Sequence, residues 1–134
     1  MNKIDKVEGM YAVVYTAIAV ALLDAAWLTF RYNYHNDLFK SIQKSKLVPR
    51  LVPAALIYLL IPTAVYLWAI RGKKTIQDAI LNGLLVGFIL YAFYDLTNYA
   101  TLTAWTLEMT TIDILWGMTV CAVGAGVGFY FENN

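Results

Sequence analysis

Three aspartates interrupt long apolar stretches of the chain and are the residues best suited to chemistry. Asp24, Asp95 and Asp113 each lie within a run of about twenty residues that is otherwise almost uncharged. Carboxylates in such a setting can bind a cation, take up and release a proton, or act as acid and base in catalysis. We therefore predict that these three residues belong to one binding or reaction site.

The remaining composition narrows that chemistry. The sequence has one cysteine, Cys121, and one histidine, His35, so it has no histidine cluster for a metal and no internal disulfide. We expect no metal and no other cofactor, and we expect His35 to be solvated in a loop. The net charge is only +1, and the basic residues are divided between two faces, which argues against nucleic-acid binding.

The distribution of apolar residues defines the class of protein. Sixty per cent of the 134 residues are hydrophobic and 14% are charged, against about 25% charged in soluble domains. Four apolar runs, at about residues 11–30, 51–70, 76–97 and 111–131, have the roughly 20 residues that a membrane-crossing helix needs. The sequence therefore predicts an all-α fold, a polytopic four-transmembrane-helix bundle that forms a single domain over residues 1–134. The sequence does not indicate which cellular membrane contains the protein.

The longest connection, residues 31–50, has two interpretations. Tyr34, Leu38 and Ile42 recur at four-residue steps, as on the apolar side of a short amphipathic helix lying along the headgroups. The alternative is a plain solvated loop, and both remain open. Basic residues divide five and five between the two membrane faces, so the orientation of the protein is not determined.

Counting the crossings places the three aspartates in one half of the membrane. The C-terminal ends of the first and third spans and the N-terminal end of the fourth share one face, and Asp24 lies roughly 9 Å inside it. An aspartate facing lipid at a span centre costs about 2.5–3.5 kcal/mol. We therefore predict that the acids point inward around a shared pocket, with Arg31 and Arg50 at its rim.

Helical periodicity places small residues next to the acids. The third and fourth runs each carry a stripe at steps of three or four residues, namely Gly83, Gly87, Tyr91, Asp95 and Asn98, and Asp113, Gly117, Cys121, Gly124 and Gly128. Glycines at this spacing let membrane helices approach closely, so we expect them to pack helices together. The bundle is then pinched at one end and splayed at the other. Bulky aromatic residues would line the splayed end: Trp27, Tyr91, Tyr94 and Trp116. Trp105 is assigned instead to the aromatic belt at the membrane interface.

Four blocks of sequence resemble a known family. They are Asp24-x-x-Trp27, Pro53-Ala54-Ala55-Leu56-x-Tyr58, Tyr94-Asp95-Leu96-Thr97-Asn98-x-Ala100-Thr101-Leu102 and Asp113-Ile114-x-Trp116-Gly117. From about Tyr11 to Phe131 the chain resembles the small predicted membrane proteins known as domain of unknown function 2177. The resemblance implies four spans but does not indicate any particular activity. The lysine-rich first connection departs from the usual pattern of the family. The resemblance also implies these signature positions: Asp24, Trp27, Tyr94, Asp95, Asn98, Thr101, Trp105, Asp113 and Trp116.

Three functions fit these residues in a multi-pass integral membrane protein surrounded by a lipid bilayer. The leading hypothesis is a pocket, open to one membrane face, that binds or translocates a small polar or cationic molecule, or protons. The second is an intramembrane enzyme that acts on a lipid or isoprenoid substrate, so the sequence leaves open whether the protein is an enzyme. The third is a structural subunit of a homo-oligomer or of a larger membrane complex.

Overall fold

The fold is an all-helical bundle in a computed structural model that describes residues 7–134. Five helices follow in order: α1 (Met10–Phe30), α2 (Tyr32–Gln43), α3 (Leu51–Ile70), α4 (Ile76–Thr101) and α5 (Leu107–Asn133). All of them except α2 are long and apolar enough to cross a membrane. The predicted four-span, all-α architecture is therefore confirmed. We call the membrane face near α2 the α2 face, and the other the opposite face.

The connection between α4 and α5 is shorter than the sequence predicts. Only residues 102–106 lie outside helix, and the Thr106 hydroxyl caps the N-terminus of α5. The polarity of this stretch indicates a loop, but threonine can bond to its own helix, as the Thr101 hydroxyl does by donating to the Thr97 carbonyl at 2.8 Å. Asp113 consequently lies in the second turn of α5 and not in its first turn.

Glycines allow the backbones of α4 and α5 to touch. A Cβ atom on Gly83 would lie 2.7 Å from the carbonyl oxygen of Cys121, and one on Gly87 would overlap the backbone of Gly117. Side chains at these positions would therefore push the helices apart. Gly117 in turn leaves the space that the Tyr91 ring occupies. These three glycines make the helix contact that the sequence predicts for them.

Gly124 and Gly128 bring α1 against α5 in the same way. The Thr16 hydroxyl donates to the Gly124 carbonyl at 2.9 Å, and a Cβ on Gly128 would overlap that same hydroxyl. Both glycines are buried. The glycine stripes therefore face other helices of the same chain, and we call the glycine-packed half of the bundle near the opposite face the closed half.

The last helix caps the first at the opposite face. The Glu132 carboxylate accepts the backbone N–H groups of Gly9 and Ala12, each at 2.9 Å. The N-terminus of a helix exposes unsatisfied donors and a partial positive charge, so a carboxylate there stabilises it. Gly9, with φ of +82°, also lies directly against the Tyr66 ring. These contacts fix the ends of α1, α3 and α5 together.

Burial along α3 changes sharply. The second half faces the bundle, where the buried residues are Pro62, Ala64, Val65, Ala69 and Ile70. In the first half the large side chains are exposed, namely Leu51, Val52, Leu56, Ile57, Leu59 and Leu60. The helix therefore stands away from its neighbours near the α2 face, which is the splayed arrangement that the glycine pattern predicts.

Helix α2 covers the splayed end of the bundle. Its apolar side packs against the connection between α4 and α5, through contacts among Tyr34, Leu38, Phe39, Ile42, Leu102, Trp105 and Met109. Of the two interpretations of residues 31–50, the helix is correct for Tyr32–Gln43. Its apolar side lies on protein.

The position of Trp105 corrects one prediction. The side chain is only 3% exposed, and its ring meets the rings of Phe39 at 5.7 Å and Tyr94 at 5.8 Å, edge to face. The assignment of Trp105 to the aromatic belt is therefore wrong. A tryptophan near the end of a span is typical of a belt, but here α2 removes it from the membrane interface.

We predict that Gly87→Ala destabilises the bundle by about 1–3 kcal/mol, the usual cost of overpacking a well-packed core. The added Cβ would overlap the Gly117 backbone, which cannot move aside without separating α4 from α5. Thermal unfolding in a mild detergent measures the change. The control is Gly126→Ala, whose Cβ would meet only the side chain of Ile80, at 3.2 Å. Equal losses in the two variants would contradict the prediction.

Candidate functional site

A cavity of about 330 Å³ lies beneath α2. Its volume falls in the range of about 300–1,000 Å³ that is usual for small-molecule sites. All five helices contribute to its wall. The lining residues are Asp24, Trp27, Leu28, His35, Phe39, Ile57, Ile61, Tyr91, Tyr94, Met109, Asp113 and Trp116. The sequence predicts nine residues for the site, and six of them are on this wall: Asp24, Trp27, Tyr91, Tyr94, Asp113 and Trp116. The other three are Asp95, Asn98 and Thr101.

Asp24 joins three helices at the base of this wall. Its Oδ1 accepts the Trp116 indole N–H at 2.8 Å, and its Oδ2 accepts the Tyr58 hydroxyl at 3.1 Å. A carboxylate removed from water needs such donors, because an unpaired buried charge is costly. The two bonds hold α1 to α5 and to the first half of α3, which makes few other contacts there. They also fix the position of the carboxylate.

Two tryptophans form a flat aromatic wall beside Asp24. The rings of Trp27 and Trp116 stack with centroids 4.5 Å apart and planes 5° from parallel. The Arg31 guanidinium carbon lies 5.8 Å from the Trp27 ring and 4.4 Å from the Tyr34 ring. The faces of aromatic rings attract cations, and Arg31 already uses this attraction.

Arg31 lies at the corner between α1 and α2, beside the cavity. The side chain of Arg31 is 16% exposed and lies 3.8 Å from the Glu108 carboxylate. Tyr34 and Thr106 share a hydrogen bond between their hydroxyls, which ties α2 to the start of α5. Arg31 contacts the lining residue Trp27 but does not itself line the cavity, so its position at the rim stays a prediction. Arg50 is exposed just before α3 and is not among the residues that line the cavity.

Asp95 lies outside the cavity wall. It is 0% exposed, and neither of its carboxylate oxygens has a hydrogen-bond partner among residues 7–134. The Asp113 carboxyl is its close electrostatic neighbour on α5. Asn98 and Thr101, further along α4, are not among the lining residues either. The structure therefore brings the three aspartates into one half of the membrane, with Asp113 on the cavity wall and Asp95 adjacent to it.

The sequence analysis missed seven residues that line the cavity or bond to Asp24: Leu28, His35, Phe39, Ile57, Tyr58, Ile61 and Met109. The expectation that His35 is solvated is wrong, since it is 9% exposed and its Nδ1 lies 3.0 Å from the Arg31 carbonyl oxygen. The spacing of His35, Leu38 and Phe39 puts all three on one side of α2, and this spacing could have predicted that His35 faces the protein. Tyr58 lies in an uncharged span, and its role as a hydrogen-bond donor becomes apparent only from its contact with Asp24 on α1.

The four long apolar helices define a multi-pass integral membrane protein, and the cavity beneath α2 is its candidate functional site. Comparison with protein families gives a match to the family described as "Predicted membrane protein (DUF2177)" over residues 9–130. The match covers nearly the whole chain, so the protein belongs to this family, as the four sequence blocks indicated. Comparisons with curated proteins and with solved structures give no match.

We predict that Tyr58→Phe destabilises the protein by about 0.6 kcal/mol and by no more than about 1.7 kcal/mol, the mean and the maximum found for hydrogen bonds between membrane helices. The variant keeps the ring but removes the hydroxyl that donates to Asp24 at 3.1 Å. Thermal unfolding in detergent is the measurement. Tyr99→Phe serves as the control because Tyr99 is exposed on α4. The role of Tyr58 would be refuted by a loss no greater than that of the control.

Proposed function

We propose that the protein binds a small organic cation in the cavity beneath α2. The observation that carries this proposal is the presence of two carboxylates, Asp24 and Asp113, on a cavity wall formed mainly by aromatic and aliphatic side chains. Carboxylates supply charge, and aromatic faces attract a cation after it has lost its water. Together they are the recognition chemistry of ammonium compounds.

The charge balance of the site favours a cation. Asp24 and Asp113 line the cavity and Asp95 lies next to Asp113, while the nearby cation Arg31 is itself 3.8 Å from Glu108. Like charges repel strongly where water is excluded. A bound cation would offset this repulsion, and an anion would increase it.

The walls favour an organic cation over a metal ion. Leu28, Ile57 and Ile61 offer no ligands for a metal, and residues 7–134 contain no group of three or more metal-ligating acidic, histidine or cysteine side chains. A hydrated inorganic ion would lose its water to surfaces that cannot replace it. Methyl or methylene groups around a positive nitrogen suit such walls.

The membrane offers a route to the site. Leu28 and Ile57 line the cavity and are also 47% and 48% exposed on the outer surface of the bundle. We propose that a gap beside the first half of α3 connects the cavity with the lipid. An amphipathic amine that partitions into the bilayer could reach the aspartates without crossing the closed half.

The other functions considered have less support. Transport across the bilayer would require the glycine contacts of the closed half to separate. An intramembrane enzyme acting on lipids has no observation of its own in its favour, and both oxygens of Asp24 accept hydrogen bonds, which suits a fixed charge at that residue. A subunit that assembles through its glycine stripes is disfavoured because those stripes are internal.

The proposal is tested with a matched pair of probes. Choline and 3,3-dimethylbutan-1-ol have nearly the same shape, but only choline is charged. In calorimetric titrations of the protein in nanodiscs of neutral lipid, we expect choline to bind and the alcohol not to bind. Tetraethylammonium serves as a second cation. Failure of both cations to bind, or equal binding of the alcohol, would refute the proposal.

Asp24→Asn and Asp113→Asn should each weaken choline binding tenfold or more, which corresponds to about 1.4 kcal/mol or more. Each variant removes one negative charge from the wall and keeps the shape of the side chain. Asp37→Asn is the control, since Asp37 is exposed on α2 at the same membrane face and does not line the cavity. Binding as tight as that of the control in both variants would exclude the aspartates as the recognition groups.

A further inference from the structure

Asp95 differs from Asp24 in having no donor. Both residues are buried carboxylates near the α2 face, and Asp24 accepts one hydrogen bond from Trp116 and one from Tyr58. Asp95 is 0% exposed, and neither of its oxygens has a hydrogen-bond partner among residues 7–134. An ionised carboxylate in that position would carry an unsatisfied charge, which proteins rarely tolerate.

The neighbour of Asp95 makes full ionisation still less favourable. The Tyr91 ring of α4 packs against Gly117 of α5, and one turn further toward the α2 face the same two helices carry Asp95 and Asp113. Two negative charges would therefore meet there. A single proton shared by the two carboxyls removes one charge and provides one hydrogen bond. Carboxyl pairs at active sites are held in this way, because two like charges in contact cannot both ionise easily.

The burial of the Asp95–Asp113 pair indicates that a proton is the ligand it binds. The oxygens of Asp95 are buried from solvent, so a hydrated metal ion or an organic cation could reach them only after the helices had separated. A proton needs no space beyond the carboxyl pair itself. Asp113 also lines the cavity, which gives the proton a way out toward the α2 face.

We propose that Asp95 and Asp113 share one proton when the cavity holds no cation, and that an organic cation binding beside Asp113 displaces it. This inference rests on the proposed function. The O–H bond of the pair breaks, the proton passes to water at the α2 face, and both carboxyls become carboxylates. One positive charge enters and one leaves, so the net charge of the buried site is unchanged.

Other ionisable groups line or border the cavity beside the pair. They are Asp24 on α1, Arg31 between α1 and α2, His35 on α2, Tyr58 on α3, and Tyr91 and Tyr94 on α4. Asp24 has its two donors and is opposed by no second carboxyl in contact. A shared proton is therefore assigned to the Asp95–Asp113 pair and not to Asp24.

Proton release on binding is the direct test. Choline is added to the protein in weakly buffered solution with a pH-sensitive dye, and the number of protons released per bound choline is measured. We expect up to one proton per cation. By linkage the affinity for choline should then rise with pH, by up to about tenfold per pH unit where the pair is protonated.

Asp95→Asn separates the proton from the cation site. The amide can donate to Asp113 and keeps the shape of the side chain, but it cannot hold the shared proton. We expect this variant to release no proton and to bind choline with an affinity that no longer changes with pH. Asp37→Asn should release protons like the wild type, since Asp37 is exposed on α2.

Infrared spectroscopy tests the pair without any cation. The wild-type protein should show the C=O stretch of a buried carboxylic acid, and Asp95→Asn should lack it. Absence of this band from the wild type overturns the shared proton even if choline binds. Choline binding without proton release, at an affinity independent of pH, overturns the displacement and leaves the proposed cation site standing. If choline and tetraethylammonium both fail to bind, the proposed function and the displacement fail together.

Discussion

Backbone contact between α4 and α5 is the constraint on which the rest of the bundle depends. Gly83 and Gly87 touch the α5 backbone, so the two helices are held together near the opposite face. Toward the α2 face, Tyr91 and Asp95 follow on the same side of α4 and need more room than glycine does. The closed half and the cavity are thus two results of one sequence pattern. The first half of α3, whose large aliphatic side chains are exposed, completes the opening.

The number of spans and the placement of the acids could be predicted from the sequence, because membranes penalise charge severely. A charge inside a span costs so much that uncharged stretches mark the crossings reliably. Parity then puts Asp24, Asp95 and Asp113 in one half, and the glycine spacing indicates which helices meet. The ends of the helices could not be predicted in the same way. Threonines near Thr101 and Thr106 can bond to their own helix, so a polar stretch there does not mark where the helix stops.

The details of the site depend on contacts that sequence patterns do not encode. Trp105 and His35 are buried because α2 folds back over the bundle, which brings its side chains against the connection between α4 and α5, far along the chain from α2. Tyr58 donates to Asp24 because of how α3 is rotated, and an uncharged span gives no sign of that rotation. Periodicity identifies the faces of a helix, but the partner of each face is settled by packing.

The bond from Glu132 to the start of α1 has a consequence for biosynthesis. The carboxylate and the two N–H groups it accepts are separated by 123 and 120 residues, almost the whole length of the chain. When the first span leaves the ribosome, its cap does not yet exist, and water or lipid headgroups must serve those donors. The opposite face can therefore close only after the fourth span has been translated and inserted. The glycine contacts between α4 and α5 form at the same late stage, so the final packing of the bundle depends on the arrival of its last helix.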